Sequence, residues 1–253
     1  MKIIGIIPAR FASTRFPGKP LTIIKGKTMI VRVCEQASKA KSISKVVVAT
    51  DDARIADEVK KNGFEVMMTG EHHKSGTDRC AEVMEHINEE FDAVINIQGD
   101  EPFIQPEQID LLCGLFGDKN VEIGTLVKKL SDVKDLDNPN VMKVALANNN
   151  DALYFSRSPI PFVRGTEQYN WLDHFNFQKH IGIYGYRADV LKKITALPQG
   201  KLEIAESLEQ LRWLENGYRI RTAFTQLESI SIDTPEDLEK LRMENGEWRM
   251  EII

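Results

Sequence analysis

Cysteine is scarce in this chain: Cys34, Cys80 and Cys113 are the only three in 253 residues. They form no CxxC pair and their number is odd, which excludes a disulfide framework or a cysteine zinc site and fits buried thiols in a reducing compartment. Histidines with metal-ligand spacing are missing too, since His72 and His73 are adjacent and His86, His174 and His180 are scattered. No apolar run reaches the ~18 residues of a membrane span. The opening MKIIGI is broken by Pro8 and followed by Arg10, unlike a secretory signal with its small-residue cleavage site. An excess of basic residues is also lacking, at 33 Lys and Arg against 38 Asp and Glu, which argues against general nucleic-acid binding. These absences lead us to expect a cytoplasmic protein with no membrane and no nucleic-acid partner.

One further absence is local. Residues 1–34 hold seven Lys or Arg and no acid, the first being Glu35, which leaves 26 basic against 38 acidic residues in the rest of the chain. A solvated surface mixes its signs, whereas clustered cations focus anionic ligands. The cluster centres on IPARFASTRFPGKP, residues 7–20, where Arg10, Arg15 and Lys19 stand among Pro8, Pro17 and Pro20. Two familiar phosphate motifs are missing from it. GKT at 26–28 lacks the upstream glycine of a P-loop, because Leu21 stands there, and no GxGxxG follows the first apolar run. Arginine offers phosphate a planar fork and lysine a compact charge, so this loop reads as a different kind of phosphate cradle.

What is present is an alternation of short apolar runs with amphipathic stretches. KIIGII (2–7), KVVVAT (45–50), FEVMM (64–68) and AVINIQ (93–98) predict strands. Helices are expected after Thr28, over DDARIADEVKKNG, from about Asp78 to Ile87, and from Pro106. Strands that are apolar throughout, rather than alternating, predict a mostly parallel central sheet flanked by helices, an α/β fold. Asn- and Pro-rich turns and seven aromatics loosen this pattern over 131–180, predicting a smaller mixed lobe packed on the sheet edge or on a second subunit. HIGIYGYR (180–187) and RIRTAF then predict strands, IAESLEQLRWLENG one helix ending at Gly217, and Thr234-Pro235 a helix start.

Open α/β sheets bind ligands beyond the carboxyl ends of their strands. QGDEPF delivers Asp100 there, and Asp233 follows the β-prone run LESISI. Taken singly, these are a turn aspartate and a helix-flanking acid. Beside phosphate-binding cations they point to Mg²⁺, which favours one or two carboxylates plus phosphate oxygens and water. KSGTDR (74–79) combines a capping hydroxyl, backbone donors and Arg79, which serve a helix cap or a nucleotide equally well.

The chain resembles the 3-deoxy-manno-octulosonate cytidylyltransferases, the CMP-KDO synthetases of lipopolysaccharide biosynthesis. The likeness runs in order along nearly the full length: IPARFASTRFPGKPL, VVVATDD, HHKSGTDR, VINIQGDEPFI, NPNVMKV, ALYFSR, HIGIYGYR, LEIAESLEQLR and IDTPEDL. It implies a GT-A-like nucleotidyltransferase fold in one domain, residues 1–253, with a CTP-binding half at 1–130 and a sugar-binding and dimerisation half at 131–253. It also implies a Mg²⁺-dependent homodimer that joins CTP to KDO with release of pyrophosphate. In that family pattern Arg10 and Lys19 hold the triphosphate with help from Arg15, and Pro8, Ala9, Ser75, Arg79 and Gln98 surround the cytidine. Asp100 and Asp233 match the metal carboxylates, with Arg10, Lys19 and Asp100 carrying the catalysis. Arg157, His180, Tyr184, Glu206 and Gln210 match sugar contacts, and the i, i+4 spacing of the last two would place them on one helix face. Alternatives within the chemistry are a sialic acid or 8-amino-KDO as the sugar; an alternative outside it is a non-catalytic CTP-sensing module.

Overall fold

The computed structural model describes residues 1–12, 16–228 and 231–239. They fall into two compact units, Met1–Cys113 with Glu228–Ile253, and Gly114–Leu227.

In the first unit the apolar opening forms β1 (Ile3–Ala9), followed by the small hairpin β2 (Ile23–Ile24) and β3 (Lys27–Thr28). Helix α1 (Met29–Ala37) buries Met29, Ile30, Val33, Cys34 and Ala37 on one face, as their spacing predicts. Thr28 stands at its N-cap position, yet its hydroxyl donates to the Glu58 carboxylate at 3.1 Å and does not cap the helix. Then come β4 (Lys45–Thr50), α2 (Ala53–Lys61), β5 (Glu65–Met68), α3 (Gly76–His86), β6 (Ala93–Asn96) and α4 (Pro106–Gly114). β1 pairs in parallel with β4 on one side and β6 on the other, and β4 pairs in parallel with β5. All four residues of β6 and nearly all of β1 are buried, which is why these runs do not alternate. Residues 235–239 are helical and return to this unit, where Ile232 and Leu238 pack with Phe16, Ile24 and Met29.

The second unit contains β7 (Ile123–Lys129), α5 (Lys134–Asp137), β8 (Lys143–Leu146), β9 (Ala152–Ser156), α6 (Trp171–His174), β10 (Gln178–Arg187), α7 (Ala188–Thr195), α8 (Lys201–Glu206), α9 (Gln210–Glu215) and β11 (Ile220–Phe224). β7 pairs with β11 in parallel and with β10 antiparallel, and β10, β8 and β9 continue antiparallel, so this sheet is mixed. The aromatic-rich stretch divides between two fates. Trp171 and Phe177 stack at 5.9 Å in a core with Leu130 and Leu136, whereas Phe162 and Tyr169 are exposed.

The single helix expected over IAESLEQLRWLENG is corrected: it is two. Ser207 adopts left-handed backbone angles, φ 52° and ψ 48°, between α8 and α9. Glu206 and Gln210 therefore do not share one helix face. The three cysteines are buried and free, and burial pushes the thiols of Cys34 and Cys113 up to about 12. Among the described residues no helix is long and apolar enough to cross a membrane.

Candidate active site

A pocket opens at the carboxyl ends of β1 and β6, lined by Pro8, Ala9, Arg10 and Lys19, by the 73–79 segment, and by Gln98, Asp100 and Asp233. Three motifs that are distant in sequence meet here on Pro8. A Cβ on Gly76 would lie 2.9 Å from Pro8 Cγ, and one on Gly99 would lie 2.7 Å from the Pro8 carbonyl oxygen. Only glycine allows both loops so near. The glycines of SGTD and QGDE are thus close-packing positions that bring Ser75 and Asp100 to the end of β1.

Lys19 begins a 3₁₀ turn (Lys19–Leu21) whose Pro20 is buried, which anchors the base of its side chain. Its Nζ donates to Asp100 Oδ2 at 2.7 Å and to Asp233 Oδ1 at 3.2 Å. The two carboxylates are set by backbone. The Ile232 amide donates to the Asp100 carbonyl at 3.0 Å, holding the residue before Asp233 against the QGDE loop. The amides of Asp233 and Thr234 donate to the Asp237 carboxylate at 3.1 and 2.9 Å, and the Asp237 amide donates to Thr234 Oγ1 at 3.3 Å, so Thr234 is the helix cap its sequence predicts. Arg10 is exposed at the pocket edge. Arg15 lies outside the described residues.

The five residues expected around the cytidine, Pro8, Ala9, Ser75, Arg79 and Gln98, all line this pocket, and two of them already have partners. Ser75 caps α3, its Oγ accepting from the Asp78 amide at 3.1 Å and the Asp78 carboxylate accepting from the Ser75 amide at 3.2 Å. Arg79 is buried and engaged: its guanidinium donates to Asp51 at 2.7 Å and to Thr69 Oγ1 at 2.5 Å. It ties α3 to the segments that follow β4 and β5, and it also lines the pocket. Pro8, Ala9 and Gln98 line the pocket directly. His73 also lines it, a residue that a search for metal spacing passes over. His73 Nε2 meets the Glu82 carboxylate, which also accepts from the Gly70 amide at 2.8 Å. Burial raises the Glu82 pKa, but the Gly70 amide and His73 outweigh it and the net shift is downward.

The expected sugar contacts all fall in the second unit. Arg157 donates to the carbonyls of Glu206 at 2.7 Å, Pro139 at 2.6 Å and Ser207 at 3.3 Å. Glu206 turns inward, accepting from Ser156 Oγ at 2.7 Å and from the Arg157 amide at 2.9 Å. Lys143, fully buried and not anticipated, faces Ser156 across the β8–β9 pair and donates to the Asn138 carbonyl at 3.0 Å. Its pKa is lowered, chiefly by burial. Gln210 is buried at the start of α9.

His180 and Tyr184, on β10, lie with ring centroids 5.1 Å apart. The Thr125 hydroxyl donates to the Ile183 carbonyl at 2.7 Å, so it must accept from His180 Nε2 at 2.9 Å. That fixes the tautomer and leaves Nδ1 a bare acceptor. Burial lowers the His180 pKa to about 3, so the ring is neutral. Nδ1 and the Tyr184 hydroxyl have no hydrogen-bond partner among the described residues.

Comparison with known proteins gives a consistent result. The cytidylyltransferase family pattern matches residues 4–230. A 3-deoxy-manno-octulosonate cytidylyltransferase of Parabacteroides distasonis is 57% identical over 244 residues, covering 95% of this chain and 96% of that protein. Among solved structures, a CMP:2-keto-3-deoxy-manno-octonic acid synthetase complexed with CTP superposes with a TM-score of 0.89 at 42% identity, over 96% of this chain and 98% of that one. A 4-diphosphocytidyl-2C-methyl-D-erythritol synthase from Anaerococcus prevotii, at 12% identity and a TM-score of 0.60 over 96% and 98% of the two chains, shares the fold alone.

Proposed function

The chain belongs to the cytidylyltransferase family, and we propose that it activates 3-deoxy-D-manno-octulosonate with CTP, giving CMP-KDO and pyrophosphate. One observation of the molecule carries this reading beside the kinship: a cationic loop and two carboxylates meet in one pocket at the strand ends. A module that only senses CTP would use the cations but has no need of the carboxylates.

The triphosphate occupies the pocket with its oxygens on Arg10 and Lys19, Arg15 assisting. Pro8, Ala9, Ser75 and Gln98 border the cytidine, and Arg79 holds their loop in place. Two hard carboxylate oxygens that already share one cationic neighbour suit Mg²⁺ in the presence of phosphate, so Asp100 and Asp233 would hold it. When bound, Mg²⁺ neutralises charge developing on the phosphoryl and leaving oxygens. The anomeric hydroxyl oxygen of the sugar bonds to the α-phosphorus and its proton passes to water, while the bond from the α-phosphorus to the bridging oxygen breaks and pyrophosphate departs with that oxygen. No covalent bond to the protein forms. Arg10 and Lys19 position the chain of phosphates and oppose its charge.

In this reading Arg157, His180, Tyr184, Glu206 and Gln210 serve the sugar. The unused acceptor at His180 Nδ1 and the unused Tyr184 hydroxyl suit a polyhydroxylated ligand. The protein works as a cytoplasmic homodimer supplying lipopolysaccharide synthesis, and exposed Leu153, Phe162, Tyr169 and Ile204 offer apolar surface for the contact.

The test is pyrophosphate release from CTP with KDO, 8-amino-KDO and sialic acid in parallel. Turnover highest with KDO supports the assignment. CTP binding without turnover on any sugar acid would favour the sensor. The same assay reads out Gly99→Ala, whose methyl would meet a backbone carbonyl that cannot swing aside. We expect kcat/KM for CTP to fall by about 10–100-fold, because the Asp100 loop must retreat by a fraction of an ångström or more. A parental value would mean that the loop is placed by other contacts.

A further inference from the structure

Lys19 is assigned to the triphosphate above, yet its ammonium donates to the two carboxylates assigned to the metal. Both uses draw on the same oxygens, Asp100 Oδ2 and Asp233 Oδ1, and the lysine side chain is only 14% exposed. A divalent ion coordinated by these oxygens would stand where the ammonium stands, and two cations so near repel strongly. The lysine has somewhere to go. Its four-carbon stem is flexible, its base is fixed by the turn at Pro20, and the pocket it would swing into is the one that takes phosphates.

We infer that Lys19 is an exchangeable internal counterion, which competes with the divalent metal for Asp100 and Asp233 and is released to the triphosphate when both ligands are present. The inference rests on the metal reading of those two aspartates. It makes metal and polyphosphate binding depend on each other. Metal alone must displace a cation that has gained no new partner, and polyphosphate alone must draw the lysine away from two carboxylates that both accept from it. With both present, each charge finds an opposite one. By linkage, removing the lysine must strengthen binding of the metal alone while it weakens binding of the phosphates. A residue that only held phosphate would leave metal affinity unchanged.

The experiment is Mn²⁺ binding, followed by electron paramagnetic resonance, to the parent protein and to Lys19→Gln, Lys19→Arg and Asp100→Asn, without nucleotide. Lys19→Gln should bind Mn²⁺ about tenfold tighter than the parent, within the usual range of such couplings. Lys19→Arg keeps a cation and should stay near the parent. Affinity in Lys19→Gln no greater than in the parent, with binding still lost in Asp100→Asn, would overturn the exchange and keep the metal site. Binding unaffected by Asp100→Asn would overturn the metal site and the exchange with it. A second measurement uses the parent protein alone: acetylation of Lys19, followed by peptide mass spectrometry, should quicken when Mn²⁺ is added. An unchanged rate would overturn the proposal even if the variants fold poorly.

Discussion

If Asp100 holds Mg²⁺ as proposed, Asp100→Asn should lower kcat for pyrophosphate release by roughly 10²–10³-fold, the loss expected when electrostatic stabilisation of the transition state is weakened at its anchor. Asparagine keeps the shape and one oxygen but no charge, so the QGDE loop stays seated on Pro8 and on the Ile232 amide. The fold should hardly notice. Asp100 is 28% exposed on its side chain and its pair with Lys19 is partly solvated, so its loss should cost about 1 kcal/mol or less. The discriminating result is therefore a kinetic collapse with a nearly unchanged melting temperature. Near-parental turnover at ordinary Mg²⁺ would remove Asp100 from the reaction.

The second large effect is on stability, at the pair of helices that sequence periodicity merges into one. Arg212 on α9 donates to Glu203 on α8 through Nε at 2.8 Å and Nη2 at 2.5 Å, with both side chains at or below 10% exposure. Burial raises the Glu203 pKa, but the arginine fork and the Gly200 amide at 3.0 Å outweigh it, so the net shift is downward. Arg212→Met strands a buried carboxylate and should cost about 3–5 kcal/mol at neutral pH. The pH dependence has a definite sign. A carboxyl with a depressed folded pKa stabilises above its unfolded value, about 4.3, and that stability is lost as pH falls through the folded pKa. In the variant the stranded carboxyl prefers its proton, so the deficit relative to the parent should shrink toward acid. Urea unfolding at pH 7 and pH 4 checks both points, and an equal deficit at the two pH values would assign the loss to packing rather than charge.

How much of this was legible beforehand depended on the range of the interactions involved. Strands that are buried on both faces must be apolar throughout, so KVVVAT appears as β4 with its expected bounds and AVINIQ as β6 slightly shortened. Thr234 announces its helix because capping is local chemistry, completed within three residues, whereas the helix expected from about Asp78 starts at Gly76, with Ser75 of the KSGTDR run as its cap. The break at Ser207 is not local. Its neighbours are good helix formers and the apolar period runs through it, while the contacts that hold it come from elsewhere, including the Arg157 bond to its carbonyl. The candidate site divides in the same way. Residue type and loop position were enough to expect Arg10, Lys19, Asp100 and Asp233 at one sheet edge, the resemblance added Pro8 and Gln98, and all six line one pocket. The partners of each were not readable, since Lys19 and Asp233 are 214 positions apart. Hence the bonds from Lys19 to Asp100 and Asp233, and those from Arg79 to Asp51 and Thr69, appear only in the folded chain.

Pro8 gives the site a shared point of failure. Loops carrying Ser75 and Asp100 rest on different parts of one residue, Gly76 against its ring and Gly99 against its carbonyl. Damage at the two glycines should therefore combine differently with loss of the ring. Pro8→Ala clears the atom that Gly76→Ala would strike, so that pair should be milder together than the sum of its members. The carbonyl remains in Pro8→Ala, so Gly99→Ala should be as harmful in that background as in the parent, and the two energies should simply add. Two neighbouring glycine contacts on one proline would then differ in kind, epistatic where the clash is with a side chain that can be removed and additive where it is with a backbone that cannot.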